Sequence, residues 1–245
     1  MPKILEAAVA VAASALTAAF AVRFWKLRSK KSIVLTYLDI PGIAEPIRLA
    51  FALGGVHFVD QRVSYEEIRK MRSRGELPTG QVPVLTVDGE AFGQSGAILR
   101  WAGRQSGLYP GDLSLKIDMA EETLNDIRIA LRPQWYKNAA GRSLVSGRPI
   151  AAAALNEEQQ AGVAACLHDD ILPQRFAQLE RMVRSSGGPF FCGEALTTSD
   201  LSLYVMARGL ADGTYCDGIS PDILSGFPAL KNLARSVAER ISAAY

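Results

Sequence analysis

The run from Gly80 to Ile98 contains residue types that could hold a short acidic peptide at the edge of a sheet. Pro83 begins a predicted strand, where it cannot donate a hydrogen bond to the ladder. If the peptide bond between Val82 and Pro83 is cis, the backbone N–H and C=O of Val82 turn outward and can pair with an extended peptide. Ser95 is predicted as the N-cap of a helix, whose free N–H groups attract carboxylates. An ordinary hairpin followed by a capped helix explains the same residues.

The elements around this run predict a mixed sheet with helices packed against it. Asp88-Gly89 is a tight-hairpin signal, because glycine accepts the positive φ of such turns. The element order is βαβ followed by ββα, which indicates an α+β domain. The predicted elements are strands at Ile33–Leu38, Phe58–Val63, Val84–Val87 and Glu90–Phe92, and helices at Ala44–Leu53, Tyr65–Arg74 and Ser95 to about Gln105.

From Leu113 onward the pattern predicts helices and no strand, so an all-helical domain is expected. Pro173 should kink one of these helices, because it lacks the N–H that an interior position needs. Thr197 and Asp200 have the spacing of a capping box, with Asp in place of the usual Glu. The predicted helices are Leu115–Tyr136, Asn156 to about Val183, Leu201–Leu210 and a last one that starts at Phe227-Pro228.

The composition excludes several classes of function. With 27 basic and 25 acidic residues the net charge is +2, so no nucleic-acid-binding surface is predicted. Cys166, Cys192 and Cys216 are odd in number and lack metal or C-x-x-C spacing, which favours a reducing compartment. Because His57 and His168 are the only histidines, neither a zinc site nor a Ser-His-Asp triad is expected.

The N-terminal segment, residues 1–31, is predicted to lie outside the two domains at 32–107 and 113–245. Its stretch from Ala7 to Val22 carries no charge and is followed by a basic cluster. We expect residues 4–25 to anchor the protein in a membrane, with the main domain facing the cytoplasm because the basic flank follows the apolar run. An organelle transit peptide and a helix of a soluble cytoplasmic protein are the alternatives, whereas a secretory signal would have the opposite charge order.

The motifs in combination resemble the cytosolic glutathione transferase family. The string from Leu35 to Gly55, LTYLDIPGIAEPIRLAFALGG, is similar to the first strand and helix of its Tyr-type members. The closest class is sigma, which includes the haematopoietic prostaglandin D synthases. The VPVL motif at Val82, the Gln94-Ser95 pair and the Thr197-x-x-Asp200 box follow in the family's order. The resemblance covers about residues 32–243 and implies a thioredoxin-like N-terminal domain followed by an all-α domain.

The resemblance assigns catalysis to Tyr37, which matches the family's tyrosine at the end of the first strand. Lowering a thiol pKa by two units from about 8.5 needs roughly 2.7 kcal/mol of thiolate stabilisation. One hydrogen bond to a charged group is worth about 1.5–3 kcal/mol, so a single hydroxyl could supply most of it. The chain departs from the family at Ile43, where many members have an Arg that supports the hydroxyl, and at Pro41, a commonly polar position. No cysteine lies near Tyr37, which disfavours the thiol-transferring relatives.

The resemblance also implies a glutathione site, with glutathione as co-substrate. Gln81, Val82 and Pro83 match the residues that hold the glutathione backbone. Gln94 and Ser95 match the pair that binds its γ-glutamyl end.

Three further positions complete the implied glutathione site. Tyr65 and Arg69 lie near positions usually held by Trp and Lys around the glycine carboxylate. Asp126 falls where a sigma-type partner subunit supplies an acid toward the amino group of glutathione, which implies a homodimer with two-fold symmetry. No metal is implied.

The second substrate is expected between the domains, over Tyr37 and against the long helix. Apolar groups at this helical spacing are equally typical of an ordinary core. The predicted wall of the pocket is Ile127, Leu131, Trp135 and Tyr136, with Arg128 and Arg132 at its rim.

The sequence therefore predicts a glutathione S-transferase that activates the thiol through a tyrosine hydroxyl. Its second substrate would be a hydrophobic electrophile, and a lipid peroxide or prostaglandin-type isomerisation is a related reaction. The alternative is a non-catalytic scaffold or interaction module with the same fold, which Ile43 slightly favours.

Overall fold

The first half of the chain forms a four-stranded mixed sheet in this computed structural model. The structure describes residues 31–138, 156–213, 215 and 219–244, without the side chains of 133–138. The central strand β1 (Ile33–Leu38) pairs in parallel with β2 (Val59–Val63) and antiparallel with β3 (Val84–Val87). The edge strand β4 (Glu90–Phe92) pairs antiparallel with β3, so the order is β2-β1-β3-β4. The predicted mixed sheet is confirmed.

Three helices pack against this sheet and bury its apolar side chains. Ile47 and Phe51 of the first helix have no exposed surface. A Cβ at Gly54, which ends that helix, would lie 2.2 Å from the Cβ of Ser106, so two helix ends meet where only glycine fits. The helices are α1 (Glu45–Leu53), α2 (Tyr65–Ser73) and α3 (Ser95–Ser106).

The second half is helical, as the sequence predicts, but one predicted helix is divided. A π-helical stretch at Leu167–Ile171 separates two helices where one long helix was expected. Pro173 follows the π-helical stretch directly, near the start of the second helix, and the helical backbone runs without a break from Glu157 to Ser185. The kink at Pro173 stays a prediction, and the departure from α-helical hydrogen bonding lies just before this proline. The helices are α4 (Ser114–Asn138), α5 (Glu157–Cys166), α6 (Leu172–Ser185), α7 (Thr198–Ala211) and α8 (Pro228–Ala244).

Helix α7 joins the two halves, because it packs against α1 of the first half and against α4 and α8 of the second. Its N-terminus is buried and closed by the predicted capping box. The carboxylate of Asp200 accepts hydrogen bonds from the backbone N–H groups of Phe191 (2.9 Å) and Thr197 (2.7 Å) and from the Thr197 hydroxyl (2.8 Å). Burial raises the pKa of Asp200 to about 6, against the opposing effect of these hydrogen bonds.

The prediction of a membrane-anchored protein is wrong on the present structure. Within residues 31–138, 156–213 and 219–244, no helix combines the length and the apolar character needed to cross a bilayer. Residues 4–25, on which that prediction depended, lie outside the described residues.

We expect Asp200→Asn to remove a pH-dependent part of the free energy of unfolding. The pKa of Asp200 is raised to about 6 in the fold, whereas an unfolded aspartate has a pKa of about 3.9. The folded state binds the proton more tightly, so this contribution is fully present below about pH 4 and is lost as the pH rises through about 6. At about 1.4 kcal/mol per pKa unit, and with the unfolded carboxyl already half protonated at pH 4, wild type should gain ~2 kcal/mol over the variant between pH 7 and pH 4.

Urea unfolding of both proteins at the two pH values measures this difference. Asp222→Asn, at an exposed position of the same domain, is the matched control for losing one carboxylate. A wild type and an Asp200→Asn variant that change in parallel with pH would contradict the assignment.

Candidate active site

Tyr37 lies near the end of β1 with its ring largely buried and only 8% of its surface exposed. The backbone N–H of Ile43 interacts with the phenol oxygen as a weak hydrogen bond, whose geometry lies outside the usual limits of distance and angle. Burial raises the pKa of Tyr37 to about 12, although this hydrogen bond and the Arg48 charge oppose the shift. The phenol therefore stays protonated at neutral pH. Because a hydroxyl accepts through its lone pairs, the bond from Ile43 leaves its proton available for donation.

The loop between β1 and α1 presents that amide, and one buried arginine holds the loop in place. The guanidinium of Arg48 lies 5.8 Å from the centre of the Tyr37 ring. Its Nη1 donates to the backbone oxygens of Ile40 (3.0 Å) and Pro41 (3.1 Å), and its Nε donates to Asp60 on β2 (3.0 Å). Arg48 therefore fixes both the ring and the loop that contacts it.

Gly42 is required where this loop passes the tyrosine. Its φ is +47°, a conformation that favours glycine. A Cβ added there would lie 2.7 Å from the Tyr37 hydroxyl oxygen. A side chain at this position would therefore displace the phenol.

The five residues expected to bind the backbone and one end of a peptide lie on either side of the β3–β4 hairpin. The Val82–Pro83 peptide bond is cis, and Val82 is half-buried just before β3 begins, while Gln81 is exposed. Gln94 is exposed and has a φ of +72°, which is uncommon for a residue other than glycine. The structure corrects one detail, because Gln94 is the N-cap of α3 and Ser95 is its first residue.

Tyr65 and Arg69 both lie on the exposed side of α2. Tyr65 is close enough to contribute to the raised pKa of Tyr37. Sequence reasoning missed Arg72 on the same helix, whose Nε donates to the backbone oxygen of Gly80 at 2.9 Å. This bond ties α2 to the segment that leads into β3.

Asp126 lies on α4 with half of its side chain exposed. Its carboxylate forms an ion pair with Arg175 of α6, with 3.4 Å between Oδ2 and Nη2. Within the chain it therefore faces the helical half rather than the sheet.

The predicted apolar wall on α4 requires a correction. Ile127 and Leu131 have no exposed surface and belong to the core, so they do not line a cleft. They share the face of α4 that packs against other helices, and side chains one turn apart point the same way. Trp135 and Tyr136 lie outside the residues whose side chains are described.

A cavity of about 320 Å³ separates the start of α3 from α4, and charged rather than apolar residues of α4 line it. Ile43 forms part of the opposite wall and follows Gly42, which passes close to the Tyr37 hydroxyl, although Tyr37 itself does not line the cavity. The lining residues that matter below are Ile43, Gln94 and Ser95 on one side and Glu121, Arg128 and Arg132 on the other.

Glu121 and Arg128 form a nearly buried ion pair on that wall. Oε1 of Glu121 accepts hydrogen bonds from Arg128 (3.0 Å) and from the hydroxyl of Ser202 on α7 (3.1 Å). Burial opposes the charge of Arg128, yet the Glu121 carboxylate and the Tyr215 hydroxyl keep its pKa above the ordinary value. Oε2 of Glu121 is buried and has no hydrogen-bond partner among the described residues. Sequence reasoning missed Glu121, because an acid on a helix carries no sign of its burial.

Comparison with known proteins gives concordant matches across the chain. A family model described as "Glutathione S-transferase, C-terminal domain" matches residues 147–243. Glutathione S-transferase 1 of Ascaris suum is 34% identical over 208 residues, which are 84% of this chain and 90% of that protein.

Two solved structures are similar throughout the described fold. A prostaglandin synthase D of Nilaparvata lugens is 25% identical with a TM-score of 0.70, covering 86% of this chain and 96% of that one. A monomeric glutathione S-transferase of the hookworm Necator americanus is 27% identical with a TM-score of 0.66, covering 86% and 95%.

We expect Glu121→Ala to destabilise the fold much more than Glu122→Ala. The side chains of Glu121 and Arg128 are only 9% and 14% exposed, so removing the carboxylate leaves a buried unpaired cation, which typically costs about 3–5 kcal/mol. The side chain of Glu122, at the next position of α4, is 60% exposed, and the loss of its contact with Arg100 should cost less than about 1 kcal/mol. Urea unfolding of the two variants gives both values. Equal losses would show that Arg128 does not depend on Glu121.

Proposed function

The chain belongs to the glutathione S-transferase family, and on that basis we propose that the Tyr37 hydroxyl activates the thiol of bound glutathione for attack on an electrophile. The observation that carries the proposal is the state of the phenol. Its pKa of about 12 keeps it neutral, and the Ile43 amide occupies a lone pair rather than the proton. A neutral Tyr37 hydroxyl that donates to the sulfur of bound glutathione stabilises the thiolate and does not compete with it for a proton.

The energy that this donor supplies is of the size that the reaction needs. A thiol with a pKa of about 8.5 is only a few per cent ionised at neutral pH. A hydrogen bond to a charged group contributes about 1.5–3 kcal/mol, which corresponds to one or two pKa units. The accepted bond from Ile43 polarises the phenol and strengthens its donation.

The glutathione molecule would lie along the edge of the sheet beside the hairpin. Its backbone would pair with Val82, next to Gln81 and Pro83. Its γ-glutamyl carboxylate would lie at the N-terminus of α3, where Gln94 and Ser95 present the amide ends of a 12-residue helix. The left-handed conformation of Gln94 supports this role, because strained backbone is concentrated at binding sites.

The other end of glutathione would reach α2. Tyr65 and Arg69 are exposed there, and Arg69 offers a cation to the glycine carboxylate. Asp126 would serve the amino group of glutathione in a partner subunit of a homodimer, where its pair with Arg175 would have to rearrange. Sedimentation equilibrium measures whether the protein is a dimer. A monomeric mass would contradict the proposed role of Asp126.

A sigma-like class and chemistry on lipid endoperoxides form a narrower proposal. The similarity to the prostaglandin synthase D of Nilaparvata lugens supports it. Such an isomerase would return glutathione unchanged, so product analysis with an endoperoxide distinguishes it from a conjugating enzyme.

The alternative function, a scaffold without catalysis, rests on the isoleucine at position 43. An apolar side chain there removes a cation from the neighbourhood of the sulfur. The backbone amide of the same residue still contacts the phenol, which supports the enzyme over the scaffold.

We expect Tyr37→Phe to raise the pKa of bound glutathione back toward about 8.5 and to lower kcat/KM by about ten- to a hundredfold, because one hydrogen bond to the thiolate is lost. Ultraviolet absorbance of the thiolate measures the pKa, and equilibrium dialysis should find the glutathione affinity little changed.

Tyr109→Phe is the matched control, because the Tyr109 hydroxyl is bound to Asp118 at 2.9 Å. That variant should keep the thiolate absorbance of wild type. A non-catalytic scaffold predicts the same thiolate absorbance in wild type and Tyr37→Phe. That result would contradict the proposed mechanism.

We expect Gly42→Ala to reduce the thiolate fraction nearly as much as Tyr37→Phe, because the added Cβ would lie 2.7 Å from the phenol oxygen. Gly75→Ala is its control, since Gly75 has a φ of +72° and no atom within 4 Å of an added Cβ. Both variants should lose about 1–2 kcal/mol of stability from the left-handed backbone, but only Gly42→Ala should change the thiol pKa. An unchanged thiol pKa in Gly42→Ala would contradict the described position of the phenol.

A further inference from the structure

The cavity beside Tyr37 has an excess of positive charge on its helical wall. Three arginines and two glutamates line it. Arg100 is satisfied by Asp118 (2.8 Å) and Glu122 (2.9 Å), and Arg128 is satisfied by Glu121. Arg132 also lines the cavity, and in the described part of the chain no carboxylate lies within 4.0 Å of it.

Two further features add to this positive field. Arg128 and Arg132 are four residues apart on α4, so their guanidinium groups share one face of the helix although like charges repel at this spacing. The N-terminus of α3 opens into the same cavity at Ser95 and Gly96, and in the proposed function its partial positive charge holds the γ-glutamyl carboxylate, so Arg132 stays available to a second anion. A wall of this kind favours an anionic group.

Opposite α4, the part of the wall beside the polar Gln94 and Ser95 differs in character. Ile43 and Pro46 line it, and both present apolar atoms. A molecule that fits both sides has an apolar body and one negatively charged end. Because the loop passes the Tyr37 hydroxyl at Gly42, directly before Ile43, the apolar part is the one nearer the proposed position of the sulfur.

On these grounds, and resting on the proposed function, we infer that the preferred second substrate is an apolar electrophile that carries a carboxylate. Arg132 is the residue that determines this specificity, by pairing with the carboxylate at the cavity rim. The nearly buried ion pair of Glu121 and Arg128 lines the same cavity next to Arg132.

A chloronitrobenzoate is a suitable probe, because its reaction with glutathione is a simple substitution. The thiolate sulfur attacks the carbon that carries chlorine, the C–S bond forms, the C–Cl bond breaks, and chloride leaves with the bonding electrons. The thiol proton passes to solvent. The acid 4-chloro-3,5-dinitrobenzoate and its methyl ester differ in charge at one end and share the reacting carbon.

The experiment compares kcat/KM for acid and ester, each divided by its uncatalysed rate, in wild type and three variants. Wild type should prefer the acid, and Arg132→Gln should lose about tenfold on the acid while changing less than about twofold on the ester. Arg132→Lys should keep most of the preference. Arg181→Gln removes the same charge from an exposed position of α6, outside the cavity lining, and should leave the preference unchanged.

A second readout does not require turnover. The unreactive 3,5-dinitrobenzoate should bind wild type in equilibrium dialysis more tightly than its methyl ester, and Arg132→Gln should abolish the difference. Equal affinity of wild type for acid and ester, or equal loss on both in Arg132→Gln, would overturn the inference. Normal acid-selective binding without any catalysed reaction of either chloro compound would support the inference and overturn the proposed function instead.

Discussion

A single buried cation, Arg48, fixes the geometry on which the proposed chemistry depends. Its guanidinium bonds to two carbonyls of the loop before α1, to Glu45 at the start of that helix and to Asp60 on β2. A buried charge is tolerated only when its hydrogen bonds are satisfied, so the loop has no alternative path that keeps these acceptors in place. The planar fork of an arginine can bridge several partners at once, which a lysine cannot. The same group lies over the Tyr37 ring, so the fold and the orientation of the phenol share one interaction.

The elements of the sheet and the capping box could be predicted because their signals are local. Alternating or continuous apolar runs define β1 and β3, and Asp88-Gly89 specifies the hairpin by backbone conformation alone. At Thr197 and Asp200 the carboxylate of Asp200 accepts from both the backbone N–H and the hydroxyl of Thr197, at the spacing from which a capping box was predicted. The donor to the Tyr37 oxygen could not be predicted in this way. It is a backbone N–H, which every residue but proline has, so the side chain at position 43 gave no sign of it.

The wall of the cavity shows a second limit of sequence reasoning. Periodicity correctly grouped Ile127 with Leu131, but it cannot say whether a shared face meets a core or a cleft. That depends on which helices cover α4, and α6 and α7 cover this face. The charged residues that line the cavity lie on the neighbouring face of the same helix, and their burial depends on partners distant in sequence, such as Ser202 for Glu121.

The apolar residue at position 43, where many family members have an arginine, can be reconciled with the arginines on α4. A cation can have two separate roles in such a site. A cation beside the phenol would help to hold a thiolate, and a cation farther along the cavity would select the molecule that the thiolate attacks. This chain has an apolar residue at the first place and arginines at the second. In the proposed mechanism the thiolate then depends on the Tyr37 hydroxyl, polarised by a backbone amide, while Arg132 acts on the electrophile alone. Such a division lets substrate preference change without a change in thiol activation. The Tyr37 hydroxyl and the Arg132 guanidinium lie on different domains, and no hydrogen bond among the described residues joins them.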